Sequence, residues 1–383
     1  MNPKSSLALE GLHHKLSDMV GLPSPLPFSV TLSVTRRCNS KCRACNIWKL
    51  PDRNGELEAW EWDKLIAQIG PHIKFYTISG GEPFLREDLP EILYLPFKYG
   101  RPQYLTLSTN GLLPERIRDQ LENFLLRLDR KTPCTVYCNL SVDAVGSEHD
   151  KLRGVEGNFS KLCDTLGYLE KIRARTNGPR LRIGIHTVLS KLNVDEVQRI
   201  CDFFLPLKNI DSLICEIAEQ RNELHNTENS LSPSREEFVV ATKLLVDRLS
   251  HEKSLDRTVL SLRIGYYEFV DRWLMTRKQP LRCFAGRSSC QVTPNGEITS
   301  CAVRWTNDGF MGSLREERYD FHKIWRSDQA RRIRNSIKKG ECACPLCNAY
   351  YGSLICSPLS LAKTMLRHGY LKGFDMIRKT AWK

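Results

Sequence analysis

Residues 28–45 read FSVTLSVTRRCNSKCRAC. Ser29 to Val34 alternates polar and apolar positions and is rich in β-branched residues, which predicts a strand. The strand runs straight into Cys38, Cys42 and Cys45, spaced C-x3-C-x2-C. Three thiols this close together can cover one face of a compact metal centre, because soft sulfur ligands favour iron-sulfur clusters, zinc or copper. Three protein ligands on a four-iron cubane leave one iron open, the logic by which catalytic metal sites keep a coordination position for another molecule.

Outward from this segment, strand and helix signals alternate. Strand-length apolar runs fall at Ser29 to Val34, Phe75 to Ser79, Tyr104 to Ser108, Thr135 to Val142, Arg182 to Val188 and Leu213 to Ala218. Helical patterns fall at Trp60 to Ile69, Glu115 to Leu128, Asn158 to Arg173 and Val194 to Leu205. Repeated βα units imply a parallel sheet, and right-handed crossovers curl such a sheet into a full or partial barrel. Residues 222–235 are polar and turn-rich ahead of a helix over Arg235 to Ser250, and beyond residue 280 cysteine, glycine and short turns dominate. The expected fold is α/β: a partial (β/α)6 barrel of parallel strands with a small C-terminal cysteine-rich α+β domain. The expected layout is an N-terminal extension (1–27), the barrel (28–250), a connecting helical segment (251–282), the cysteine-rich domain (283–357) and a basic amphipathic helix (358–383).

A chain of 383 residues has room for two or three domains, and 41% hydrophobic with 26% charged residues excludes a disordered, collagen-like or coiled-coil protein. The net charge of +13 would attract phosphate, acidic substrates or anionic lipid. Glu10, His13, His14 and Asp18 interrupt the apolar stretch that a secretory signal needs, so a cytoplasmic protein is expected. The uncharged runs Met19 to Thr35 and Cys342 to Ala362 carry several prolines and are not expected to span a membrane. In a reducing compartment the 15 cysteines do not make a disulfide framework. Cys134, Cys138, Cys163, Cys201 and Cys215 fall in strand- or helix-like segments and read as small buried hydrophobes.

A C-x3-C-x2-C loop on the first strand of a βα series resembles the radical S-adenosylmethionine (SAM) superfamily, and further segments agree. Ser79-Gly80-Gly81-Glu82-Pro83 is similar to the superfamily's GGE motif, whose backbone and Glu bind the methionine amino group. Ser108 and Asn110 close the third strand, and Ser141 and Asp143 close the fourth, at positions that contact the cofactor's ribose and carboxylate in relatives. Arg153-Gly154 resembles the basic residue that follows. The sequence departs from the commonest pattern at Ala44, where many members carry an aromatic residue, and Trp48 offers a substitute for adenine stacking. The resemblance implies a [4Fe-4S] cluster on Cys38, Cys42 and Cys45 that reductively cleaves SAM to a hydrogen-abstracting 5′-deoxyadenosyl radical. It also implies an electron donor such as flavodoxin or ferredoxin.

Near the end of the chain, Cys283 and Cys301 flank a turn at Pro294-Asn295-Gly296, and Cys344 and Cys347 add a C-x2-C pair. Read bare, four such thiols suit zinc. Beside a radical SAM loop, and with Gly312-Ser-Leu-Arg and Lys323-Ile-Trp325 between them, they resemble a twitch or SPASM auxiliary-cluster domain. The resemblance assigns Cys283, Cys301, Cys344 and Cys347 to one auxiliary [4Fe-4S] cluster. A second auxiliary cluster would have to recruit Cys290, Cys342 or Cys356.

The substrate is less legible. Twenty-seven residues before the first strand are few for a fused peptide-recognition domain, so a small molecule such as a sugar or phosphorylated metabolite is the leading expectation, oxidised or epimerised with help from the auxiliary cluster. A peptide maturase acting with a separate recognition partner is the alternative. A zinc-binding scaffold or nucleic-acid protein is the alternative of another class, without a clear reading motif. Ligands bind at the carboxyl ends of barrel strands, which makes Glu216, Glu219 and Arg221 the candidate catalytic residues. His186 reads as a satisfied barrel histidine. The tail's stripe of Leu359, Ala362, Leu366, Tyr370 and Phe374 with a basic opposite face reads as a packing helix, with peripheral membrane contact as its alternative use.

Overall fold

The computed structural model describes residues 3–50, 55–129, 131–176, 181–226, 230–252, 257–305 and 308–369. Six strands arise where the alternating apolar runs predict them: β1 (Ser29–Thr35), β2 (Phe75–Gly80), β3 (Tyr104–Thr109), β4 (Thr135–Ser141), β5 (Leu181–Leu189) and β6 (Ser212–Ile217). Three more follow: β7 (Ser289–Val292), β8 (Glu297–Thr299) and β9 (Phe310–Ser313). They form one sheet in the order β6-β5-β4-β3-β2-β1-β7-β8-β9. β1 to β6 pair in parallel throughout, giving the expected partial barrel. Val30, Leu32, Ile78, Leu107, Val136, Leu140, Ile183, Ile185 and Leu213 are fully buried, as a parallel sheet covered on its faces requires. Cys134, Cys138, Cys201 and Cys215 are buried among them and Cys163 is half-buried.

The crossovers are helices Ala59–Ile69, Leu89–Tyr99, Pro114–Leu126, Asn158–Arg175 and Val197–Phe204. Helix Leu89–Tyr99 escapes the sequence signals because Pro90 and Pro96 read as breakers. Pro90 lies in the first turn, where its missing N–H costs nothing, while Pro96 is tolerated inside the helix.

The cysteine-rich segment does not stand apart from the barrel. β7 pairs in parallel with β1, with Ser29 opposite Ser289, and β8 and β9 continue antiparallel. The β1 edge, an aggregation liability if bare, is thereby capped, and Trp325 from helix Phe321–Arg326 is fully buried with its indole N–H donating to the Pro25 carbonyl at 2.8 Å. The N-terminal helix Pro3–Met19 is pinned to the same region by buried Asp18, which pairs with Arg282, Arg287 and Lys338.

Helix Pro358–Gly369 packs on helix Arg257–Thr276, yet Leu359 and Leu366 are 81% and 63% exposed. The tail's predicted apolar stripe therefore faces solvent in its described part. Its remainder, from Tyr370 on, lies outside the described residues. Among the described residues no helix is long and apolar enough to cross a membrane.

Candidate active site

The carboxyl ends of β1 and β2 meet so closely that only glycine fits. Gly80 has φ +131°, and a Cβ on it would lie 2.3 Å from the Thr35 carbonyl oxygen; a Cβ on Gly81 would lie 2.2 Å from that of Arg37. The Gly81 and Glu82 N–H groups donate to those two carbonyls at 2.8 and 2.7 Å. The Cys38–Cys45 loop leaves this junction and is held by its backbone: Lys41 and Arg43 N–H donate to the Arg153 and Leu152 carbonyls, and the Asn226 amide donates to the Ala44 carbonyl at 3.0 Å. Its shape therefore does not depend on its sulfurs.

The three thiols lie within electrostatic reach of one another. Burial pushes Cys38 and Cys45 up to about 12, the N–H groups of Ser40 and Ile47 pull the other way, and the neighbouring thiols add to the rise. Cys42 is raised by burial and pulled down by Arg153, whose Nη1 lies 3.7 Å from its sulfur. Donors and a cation aimed at buried sulfur suit thiolate ligands of an iron-sulfur cluster, whose iron would displace the protons. Among the described residues no three His, Cys, Asp or Glu side chains close around a point where one metal ion would sit.

The residues expected to hold SAM surround this loop. Glu82 is buried and accepts hydrogen bonds from Phe84 N–H (3.2 Å), the Thr109 hydroxyl (2.9 Å) and Asn110 N–H (2.7 Å), stitching β2 to β3. Burial outweighs these donors and lifts its carboxyl to about 7. Asn110 donates to the Asn39 side chain at 2.7 Å, tying the end of β3 to the cysteine loop. Asp143 pairs with Arg153 at 2.8 Å, so Arg153 bridges Asp143 and Cys42. Ser108 lies opposite Asn139, and Ser141 opposite His186, at the ends of their strands. Trp48 donates its indole N–H to the Cys45 carbonyl at 2.9 Å, at the loop's edge.

On the substrate side, Glu216 near the end of β6 comes together with Glu219 and Arg221 just beyond it. Arg221 pairs with Glu219 at 3.0 Å and His186 with Glu216 at 3.3 Å. Burial raises the Glu219 carboxyl; at Glu216 burial is overcome by His186 and Arg221, which hold it near 2. Glu223 joins them and escaped the sequence reading, since it sits in a polar stretch that looks like solvated loop. It is buried, accepts from Gln291 of β7 at 2.7 Å and from Ser33 of β1 at 3.3 Å, and lines a small cavity of about 20 Å³ with Thr35, Arg36, Gly80, His225 and Trp305. That cavity lies between the cysteine loop and the β7–β8 turn.

The second cysteine set is also gathered. Cys283 and Cys301 receive N–H donors from Ala285 (3.4 Å) and Arg304 (3.5 Å). Cys283 lies near Cys301 and Cys342, and Cys344 near both Cys283 and Cys301. Cys347 is buried against the Glu216 carboxylate.

This arrangement is that of a radical SAM enzyme with an auxiliary iron-sulfur site. Residues 32–204 match the radical SAM superfamily and residues 283–348 match the iron-sulfur cluster-binding domain called SPASM; the chain belongs to that superfamily and uses SAM and iron-sulfur clusters. The chain is similar to the antilisterial bacteriocin subtilosin biosynthesis protein AlbA of Bacillus subtilis, at 26% identity over 87% of this chain and 71% of that protein. It is also similar to the PqqA peptide cyclase of Xanthomonas euvesicatoria, at 27% identity over 88% and 86%. Among solved structures, Streptococcus suis SuiB bound to S-adenosylmethionine aligns with a TM-score of 0.57 at 18% identity, covering 79% of this chain and 66% of that one. SuiB has also been solved bound to the precursor peptide SuiA.

Proposed function

We propose that the chain is a radical SAM peptide maturase, which oxidatively modifies a residue of a peptide substrate delivered with or by a separate recognition partner. The observation that supports this over a small-molecule substrate is likeness along nearly the whole chain, SPASM segment included, to relatives named for peptide cyclisation and bacteriocin synthesis. When bound, the catalytic cluster and SAM supply a hydrogen-abstracting 5′-deoxyadenosyl radical, and the auxiliary cluster an electron acceptor.

The chain's own residues do the rest. Cys38, Cys42 and Cys45 hold the catalytic cluster, and Glu82, Asn110, Asp143 and Arg153, with Gly80, Gly81, Ser108 and Ser141, hold SAM. The substrate side chain enters from the small cavity that Thr35, Gly80 and Glu223 line at the carboxyl ends of β1 and β2. Glu219 and Glu223, whose carboxyls burial raises, accept the proton that leaves the substrate when it is oxidised, and Arg221 balances their charge. A flavodoxin or ferredoxin supplies the reducing electron.

The test is isotope transfer from an uncharacterised substrate pool. Extract of cells grown in deuterated medium is split into peptide and small-metabolite fractions, each incubated with reconstituted enzyme, SAM and dithionite. Deuterium in 5′-deoxyadenosine with the peptide fraction supports the proposal. Deuterium only with the small-metabolite fraction returns the substrate to the sugar or phosphorylated-metabolite class.

The Glu82 carboxyl makes a second expectation quantitative. If it must be ionised to hold the SAM ammonium, a value of about 7 means that protonation competes with binding below neutrality. SAM affinity by calorimetry should be about tenfold weaker near pH 6 than near pH 8. The dependence should vanish in Glu82→Gln, and a flat wild-type profile would show that Glu82 only braces β2 against β3.

A further inference from the structure

The N-terminal helix Pro3–Met19 is mounted with its apolar side outward. Its inward positions are small or polar: Gly11, His14, Ser17 and Asp18 are buried. Gly11 lies so close to helix Cys347–Ile355 that a Cβ would sit 2.2 Å from the Ile355 carbonyl oxygen. His14 meets Phe28 edge-on at 5.3 Å, and Asp18 pairs with Arg282, Arg287 and Lys338. Leu9, Leu12, Leu16 and Met19 recur at helical spacing on the other side, and Val20 and Leu22 continue the stripe. All six are between 39% and 68% exposed. An amphipathic helix of a globular protein turns such a stripe toward the core, and a contiguous apolar patch left outside marks a surface that another body covers.

We propose that this face seats the protein on an anionic lipid surface, with the helix lying in the plane of the headgroups. Two features select lipid. The stripe is wholly aliphatic and lacks the Trp, Tyr and Arg that anchor protein–protein contacts, where Leu and Val are under-represented; aliphatic chains suit the boundary of the acyl region. The charge beside it is cationic. At the end of the helix one carboxylate, Asp18, faces three cations, and the side chains of Arg282 and Lys338 are 40% and 42% exposed. Exposed Lys339 extends this rim, as does Lys363 on helix Pro358–Gly369, which touches the N-terminal helix. Anionic headgroups attract such bases at short range. A second copy of the chain would set these like-charged rims against each other, because a two-fold contact opposes a patch to itself.

The placement suits the chemistry. The Asp18–Arg287 pair lies at the amino ends of β1 and β7, and the Cys38–Cys45 loop at the carboxyl end of β1. A bilayer under the amino ends leaves the cysteine loop open to water and substrate, whatever the substrate's class.

The experiment is cosedimentation of the full-length chain with vesicles of phosphatidylglycerol and phosphatidylcholine in equal parts. The chain should pellet with these vesicles, be released by high salt and stay in solution with phosphatidylcholine alone. Leu12→Glu combined with Leu16→Glu should weaken binding about a hundredfold, about tenfold for each leucine kept in water, with native circular dichroism and unchanged SAM cleavage. Should that variant not fold, Leu9→Glu alone makes the same test, with a loss of about tenfold expected. No pelleting with the anionic vesicles overturns the proposal, as does undiminished binding by the folded variants. Binding that survives Leu12→Glu with Leu16→Glu but is lost on removal of residues 370–383 gives the contact to the tail, and a dimer in sedimentation equilibrium that Leu12→Glu dissolves gives the face to a second copy. Either result overturns the lipid assignment.

Discussion

Replacing Cys38, Cys42 and Cys45 together by alanine should abolish dithionite-driven conversion of SAM to 5′-deoxyadenosine, measured by chromatography, down to the enzyme-free background. Without thiolates at these positions no iron can sit beside the SAM residues, and no electron reaches the sulfonium. The loss should be chemical and not structural. The loop is anchored through the Arg153, Leu152 and Ala44 carbonyls, and the thiols are half-buried, so circular dichroism and thermal unfolding should change little. Arg153 loses only its contact with Cys42 and keeps its ion pair with Asp143. Undiminished cleavage by the folded triple variant would refute the site assignment.

The barrel was legible because each strand writes its own burial. Val30, Leu32 and Val34 alternate with smaller polar residues, and the motif residues cluster at strand ends because ligands of parallel sheets bind there. What escaped prediction depends on contacts distant in sequence. The pairing of Ser29 with Ser289 joins residues 260 positions apart, and no local signal on β7 tells that its partner is β1. Glu223 is hidden for the same reason: Ser33 and Gln291, distant in sequence, donate to it, so a polar loop residue becomes a buried carboxyl beside the β1–β7 seam. The substrate class is not written in the motifs that build the radical; the expected small molecule gives way to the proposed peptide only on likeness to relatives named for peptide cyclisation and bacteriocin synthesis. The C-x2-C spacing marks Cys344 and Cys347 as a pair, but that Cys347 opens a helix and packs beside Glu216 of β6 is a contact no local signal reveals.

Cys283→Ala with Cys301→Ala is expected to halve the iron of the reconstituted protein, from about eight to about four per chain by the count for two four-iron clusters. These two cysteines are chosen because each already receives a backbone N–H on its sulfur, a contact that favours the thiolate a cluster needs. Metal binding is coupled to the folding of short segments, so the double variant should also melt earlier than wild type. The loosening should reach the barrel, since Cys283 lies just ahead of β7 and β7 covers β1; hydrogen exchange should quicken in Ser29–Thr35 as well as in Ser289–Val292. SAM cleavage without substrate should survive within a few-fold of wild type, because every residue proposed to hold SAM and the first cluster lies before residue 154, whereas turnover of the peptide fraction should fail for want of an electron acceptor. Full iron in the double variant, or one zinc per chain in place of four irons, would rule out an auxiliary cluster on these cysteines while leaving the radical site on Cys38, Cys42 and Cys45 intact.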